Sequence, residues 1–144
     1  MRRTLLLVTL TAMTLSSPAG ATSAEEHRAV AGPGAPVLGY LTPTIQMTKG
    51  DSIVFTNLDA VEHSLVQDVA ADGFGGKHNV PWCQTGAGHK HDGHSAPCPV
   101  FWSALVGSGG ATQVAGLNRL KAGKTYSFIC TKHHSMKGKL VVAP

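Results

Sequence analysis

Short β-rich runs, separated by turns that contain glycine, constrain the fold of this 144-residue chain more than any other feature. Residues 44–48 alternate polar and apolar side chains, while residues 52–57 and 125–130 are rich in β-branched and aromatic side chains. Weaker runs of the same kind occupy residues 62–69, 101–106, 111–120 and 139–142. Because no segment repeats apolar residues at a helical period, the pattern predicts an all-β fold, either a sandwich or a barrel.

Two segments, one N-terminal and one central, depart from this succession of strands. Residues 25–36 are polar and then rich in glycine and proline, which predicts a flexible N-terminal arm. Residues 71–100 are dense in glycine, proline and histidine, which predicts an insertion between two strands. The folded domain is therefore expected to span residues 37–144, with this insertion inside it.

The N-terminus has the features of a secretory signal peptide. Arg2 and Arg3 precede an apolar run at residues 5–15, which is too short to span a bilayer, and small residues follow it. These features predict a signal peptide over residues 1–24, with an N-terminal membrane anchor as the alternative. We then expect export, to the periplasm or the cell exterior, of a soluble monomer of about 120 residues.

The charge of the chain does not favour nucleic acid as a partner. The formal net charge is +4, but it includes Arg2 and Arg3 of the predicted signal peptide. Without them, ten Lys and Arg side chains remain beside eight Asp and Glu, a net charge of +2. Because no cluster of basic residues is interleaved with aromatic ones, we expect no nucleic-acid partner.

The cysteine count is odd, with thiols at Cys83, Cys98 and Cys130. An oxidising compartment favours pairing of two thiols, and Cys83 and Cys98 lie on either side of one loop rich in glycine and histidine. A disulfide between them would staple the predicted insertion and contribute about 3 kcal/mol by restricting the unfolded chain. Cys130 is then left unpaired, and ligation to a metal is one way to protect such a thiol.

The unpaired cysteine begins a segment crowded with soft and nitrogenous side chains, CTKHHSMKG. Alternation along the preceding strand places Cys130 on the same face as Tyr126 and Phe128, which is expected to be the core face. His133 and Met136 follow at intervals of three residues. A loop that reverses direction can therefore gather the thiol, one imidazole and the thioether around one point.

A histidine far upstream completes a known set of metal ligands. His63 follows the run at residues 52–57, and a sandwich can bring it to the end of the strand that carries Cys130. Two imidazoles and a thiolate with a weak axial Met are the ligands of blue-copper sites. Zinc is less suited, because this set is unusual for it, and a Cys/His nucleophile would lack a third polar group to orient its base.

Two motifs resemble those of the cupredoxins. FTNLDAVEHS resembles their first-ligand motif, and YSFICTKHHSMKGKLVV resembles their C-terminal copper loop, with the C-x-x-H-x-x-M spacing of amicyanin. The resemblance covers residues 37–70 and 101–144 and fails across the insertion. It implies a Greek-key β-sandwich with one type 1 copper, whose ligands would be His63, Cys130, His133 and Met136. His133 is preferred over the adjacent His134 because two residues separate Cys from His in that family.

The resemblance also implies a function, which is the transfer of single electrons between redox proteins. Four protein ligands leave no position for a substrate, so we expect no enzymatic activity. A redox partner is expected to dock near His133, and the backbone amide of Ser64 to donate to the Cys130 sulfur. Asn57 and Asp59 either fix the turn that carries the first histidine or are ordinary turn residues. A copper carrier, buffer or delivery protein is the alternative, which the unusual insertion keeps open.

The insertion contains a second group of histidines in the sequence HKHDGH. His89, His91 and His94 could bind a further metal, because imidazole suits Cu(II), Zn and Ni. The alternative is a solvated loop whose histidines happen to cluster, and the glycines around them favour it because ordering glycine costs backbone entropy.

Overall fold

The computed structural model describes residues 23–72 and 99–144, and within them the chain forms seven strands and very little helix. The strands are β1 (Glu26–Ala31), β2 (Thr44–Met47), β3 (Ser52–Asn57), β4 (Val66–Gln67), β5 (Ala111–Gln113), β6 (Thr125–Ile129) and β7 (Lys137–Val142). A single-turn helix, α1 (Ala35–Leu38), follows β1, and a 3₁₀ turn occupies Leu117–Arg119. Within residues 23–72 and 99–144, neither helical segment has the length or hydropathy of a transmembrane helix.

The strands form two mixed sheets. One sheet has the order β1-β3-β5 and the other the order β2-β7-β6-β4. The pairs β1/β3 and β2/β7 are parallel, whereas β3/β5, β4/β6 and β6/β7 are antiparallel. The predicted all-β sandwich is therefore confirmed.

The core consists of apolar side chains from both sheets. Alternate residues of β3 are buried, and Phe55 packs edge-to-face on Tyr40 with ring centroids 6.2 Å apart. Tyr40 also packs edge-to-face on Phe128 of β6, at 5.1 Å. The Tyr40 ring thus links the two sheets close to the end of β6, where Cys130 follows.

The prediction of a flexible arm at residues 25–36 is wrong, because most of this segment is β1 and α1. Strand β1 is an edge strand that runs parallel to β3, with Glu26 opposite Ser52 and Ala31 opposite Asn57. Its inward residues, Ala29 and Ala31, are fully buried but small. Small apolar residues do not show the β-branched or aromatic enrichment by which strands are identified, and the pairing partner lies far along the chain.

Three of the weaker runs form less regular strand than predicted. The run 62–69 contains only the two residues of β4, and the run 101–106 contains isolated bridges instead of a strand. The run 111–120 divides at Gly116, which has a φ of 84°. A Cβ on Gly116 would lie 2.0 Å from the carbonyl oxygen of Val100, so only glycine fits this close approach.

Several predictions concern residues outside the described ranges. These are the signal peptide, the disulfide between Cys83 and Cys98, and the metal-binding group of His89, His91 and His94. They stay predictions, as does the insertion that contains these cysteines and histidines.

Asp51 joins the N-terminal edge strand to the turn between β2 and β3. Its carboxylate accepts hydrogen bonds from the backbone N–H of Glu25 at 2.9 Å and of Thr48 at 2.7 Å. The hydroxyl of Thr48 and Nε2 of His27 also contact it, at 2.9 and 3.0 Å. The hydrogen bond from Glu25, followed by that from His27, holds the pKa of Asp51 well below its usual value.

We expect Asp51→Asn to lower the free energy of unfolding at neutral pH. We also expect that free energy to fall less in the substituted protein when the pH is lowered. A carboxylate with a depressed pKa in the folded state stabilises the protein above its unfolded pKa, and this stabilisation is lost as the pH falls below about 4. Urea unfolding at several pH values measures both effects. Glu26→Gln, at an exposed carboxylate nearby, is the matched control. Equal effects of the two substitutions would contradict this role of Asp51.

Candidate metal centre

The first side chain of the candidate centre, His63, is held on a short bridge after β3. Its backbone N–H donates to the carbonyl of Val106 at 3.1 Å, and the N–H of Val106 returns a bond to His63 at 2.8 Å. The Asn57 amide donates to the carbonyls of Val61 and Val106 and accepts from the N–H of Asp59. Asn57 therefore fixes the turn that carries His63, whose side chain is fully buried.

Cys130 follows the end of β6 and begins a compact loop. Its backbone N–H donates to the carbonyl of Met136 at 3.2 Å, and the N–H of Met136 donates to the carbonyl of His133 at 2.9 Å. Cys130 and Met136 are both fully buried, and the Cys130 thiol is not in a disulfide. The loop is thus closed by its own backbone, with its thiol and thioether inside the protein.

Three potential ligand atoms from these two segments lie close together. The Cys130 sulfur is 3.7 Å from Nδ1 of His63 and 3.6 Å from Nδ1 of His133, and the two nitrogens are 3.1 Å apart. Ligands that bind one ion at about 2.0 Å through nitrogen and 2.3 Å through sulfur would stand roughly 3–4 Å from each other. The three atoms therefore fit around a single metal ion without further movement of the chain.

The other two candidate side chains of the loop have different environments. Met136 is fully buried in the core cluster next to Cys130, where its soft thioether suits copper. His134 is exposed, and its Nε2 lies 3.1 Å from the carbonyl oxygen of Thr131. Of the two adjacent histidines, the one whose ring lies next to the Cys130 sulfur is therefore His133.

The orientation of the His63 ring is set by Asp59. Nε2 of His63 lies 2.8 Å from Oδ2 of Asp59, so this nitrogen donates and Nδ1 is the nitrogen that could bind a metal. The same hydrogen bond holds the pKa of Asp59 below its ordinary value. Burial lowers the pKa of His133, and the adjacent His63 ring lowers it further, which favours the neutral imidazole that a metal requires.

Ser64 connects the segment of His63 to that of Cys130. Its hydroxyl lies 3.9 Å from the Cys130 sulfur and accepts from the N–H of Thr131 at 3.1 Å. Its carbonyl accepts from the buried hydroxyl of Tyr40 at 2.5 Å. The sequence predicted a bond from the Ser64 amide to the sulfur, and the contact found is from its hydroxyl. Tyr40 and Thr131 were not predicted, since no sequence motif marks residues that contact the site through Ser64.

Solved structures with a similar fold include a purple cupredoxin, an azurin and an auracyanin. A purple cupredoxin from Nitrosopumilus maritimus is 15% identical, with a TM-score of 0.54, and the match covers 81% of this chain and 99% of that one. An azurin, Az-iso2, from Methylomonas sp. strain J is 15% identical, with a TM-score of 0.57 and coverages of 85% and 100%. Auracyanin B is 23% identical, with a TM-score of 0.54 and coverages of 87% and 93%. At these identities the likeness establishes the cupredoxin fold alone.

Sequence comparison gives the family. No curated protein sequence matches the chain, but the profile of the copper-binding proteins of the plastocyanin/azurin family matches residues 26–143. The matched region begins at β1, in agreement with its place in the sheet. The cluster of two imidazoles and one thiol, with a buried thioether in the same loop, suits one copper ion. The chain therefore belongs to the plastocyanin/azurin family of copper-binding proteins.

Proposed function

We propose that this chain is an exported type 1 copper protein that carries single electrons between redox partners. His63, Cys130 and His133 would supply the three strong ligands, and Met136 the weak axial one. The observation that carries the proposal is the close grouping of the sulfur and two nitrogens, within 3.1–3.7 Å of one another. When bound, copper supplies a one-electron couple between Cu(II) and Cu(I).

The burial of the ligands supports electron transfer rather than catalysis. His63, Cys130 and Met136 are each 0% exposed, so no substrate can reach their side of the site. His133 is the one proposed ligand with partial exposure. We infer that electrons enter and leave through the His133 ring.

The surface around His133 supports docking of a protein partner. Large apolar side chains are exposed on the segments that border the ligands, and we name them the apolar rim: Val37, Leu38, Leu58, Val61 and Leu105. The Ser135 hydroxyl donates to the carbonyl of Pro36, which places α1 beside the ligand loop. Val37 is 88% exposed and Leu38 76%, so these apolar side chains face solvent instead of the core. We infer that a redox protein covers this rim during electron transfer.

The arrangement of hydrogen bonds supports a rigid site. The His63 backbone is paired with Val106, its ring is held by Asp59, and the ligand loop is closed between Cys130 and Met136. A site that is held in one geometry changes little between the two oxidation states. The energy needed to rearrange the ligands is then small, which favours rapid electron transfer.

The experiment that tests the function compares electron exchange with copper release. We expect the copper-loaded protein to exchange electrons rapidly with its own reduced form and to keep its copper in the presence of a Cu(I) chelator. Line broadening in NMR spectra of mixed oxidised and reduced protein measures the exchange. Slow exchange together with ready loss of copper to the chelator would contradict electron transfer and favour the copper carrier.

A further inference from the structure

Asp59 is a carboxylate surrounded by hydrogen-bond donors. Oδ1 accepts from the backbone N–H of Gly34 at 3.2 Å and of Ala60 at 2.8 Å, and Oδ2 lies 2.8 Å from Nε2 of His63. Asp59 is only 8% exposed, and His63 is fully buried. Because a backbone N–H can only donate, this set of partners requires an acceptor, which is what an ionised carboxylate provides.

The position of Asp59 joins three parts of the molecule. Gly34 precedes α1 of the apolar rim, Ala60 belongs to the turn after β3, and His63 faces the thiol of Cys130. A carboxylate that served only to shape the turn would be satisfied by the backbone N–H groups. The additional bond goes to the ring of a proposed copper ligand, so the charge of Asp59 can change how strongly Nδ1 of His63 donates to the metal.

We propose that Asp59 is a positioning residue of the copper site, which holds Nδ1 of His63 towards the metal and lowers the reduction potential. This inference rests on the proposed copper site. A hydrogen bond from Nε2 to a carboxylate makes Nδ1 a more basic ligand. The negative charge also favours the more highly charged Cu(II) over Cu(I), because a buried charge is poorly screened.

The test is the substitution Asp59→Asn in the copper-loaded protein. The asparagine keeps an oxygen for the bond from His63 but loses the negative charge. We expect the affinity for Cu(II) to fall by about tenfold or more, with a smaller fall for Cu(I). A tenfold loss of affinity for Cu(II), with the affinity for Cu(I) unchanged, corresponds to a rise of about 59 mV in the reduction potential. Copper titration and redox titration, made on the same samples, measure the two quantities.

Two control substitutions separate the hydrogen bond to the ligand from general effects of charge and stability. Glu62→Gln removes an exposed carboxylate that is paired with Lys132, beside His63 in the sequence but without a bond to its ring. Asp51→Asn removes a carboxylate that bonds a histidine and two backbone N–H groups in the same way, but at the opposite end of β3 from Asp59. We expect each to shift the reduction potential by less than half as much as Asp59→Asn.

A measurement on the unsubstituted protein tests the inference even where Asp59→Asn fails to fold. In the reduced protein, the proton on Nε2 of His63 should give a downfield NMR signal that exchanges slowly with solvent. A His63 ring without a protected Nε2 proton, or a reduction potential unchanged in Asp59→Asn, would overturn the role of Asp59. If the wild-type protein lacks the intense blue absorption after loading with copper, the proposed copper site is overturned as well. Failure of the Asp59 role and failure of the copper site are therefore distinguishable.

Discussion

Replacing Cys130 by serine is expected to abolish the intense visible absorption of the copper-loaded protein. The absorption arises from charge transfer between a thiolate and Cu(II), and Cys130 contributes the one thiol within the cluster of potential ligand atoms. A serine hydroxyl stays protonated at neutral pH and supplies no sulfur. An absorption spectrum after addition of Cu(II) measures the change.

The control for this substitution is a double variant, Cys83→Ser with Cys98→Ser. Its blue absorption should survive, because neither residue is a proposed ligand. The serine at Cys130 can be accommodated near the Ser64 hydroxyl, so loss of colour in a folded Cys130→Ser protein reports on ligation. Retention of the full absorption by Cys130→Ser would show that the assigned thiolate is wrong.

Replacing His133 by glycine is expected to convert the blue centre into a weakly coloured one. The substitution removes a nitrogen that lies 3.6 Å from the Cys130 sulfur and 3.1 Å from Nδ1 of His63. Since His133 is partly exposed, its removal opens the site to solvent. Added imidazole should enter the opening and restore the blue absorption, which an imidazole titration measures.

His134→Gly is the matched control, because it removes the same side chain from the next position. The His134 ring is exposed and its Nε2 lies against the carbonyl of Thr131, outside the cluster of potential ligand atoms. We expect the blue absorption of this variant to remain. A colourless His134→Gly together with a blue His133→Gly would move the assignment by one residue.

The strong strands could be predicted from the sequence because their signal is local. Residues 52–57 and 125–129 are rich in β-branched and aromatic side chains, and both segments form strands. Strand β1 lacked that signal, since its buried residues are alanines and its partner is a parallel strand 26 positions further on. The pairing of such an edge strand depends on the backbone groups that its neighbour in the folded sheet, β3, leaves available.

The residues of the candidate site that could be predicted are those that belong to short sequence motifs. The thiol, the following histidine and the methionine lie within seven residues, so their order and spacing could be recognised. The carboxylate bonded to His63 could not be assigned, because a turn aspartate with or without such a bond has the same local sequence. The Tyr40 hydroxyl bound to the Ser64 carbonyl carries no local signal either.

The kinds of ligand, the all-β class and the family resemblance follow from local patterns of residues along the chain. The folded structure is needed to show that Nδ1 of His63 lies 3.7 Å from the sulfur of Cys130, a residue 67 positions away. The fold likewise shows that Asp59 bonds the other nitrogen of the same ring. Ligand chemistry and strand preference belong to single residues and their neighbours, whereas distances between segments depend on how two sheets pack.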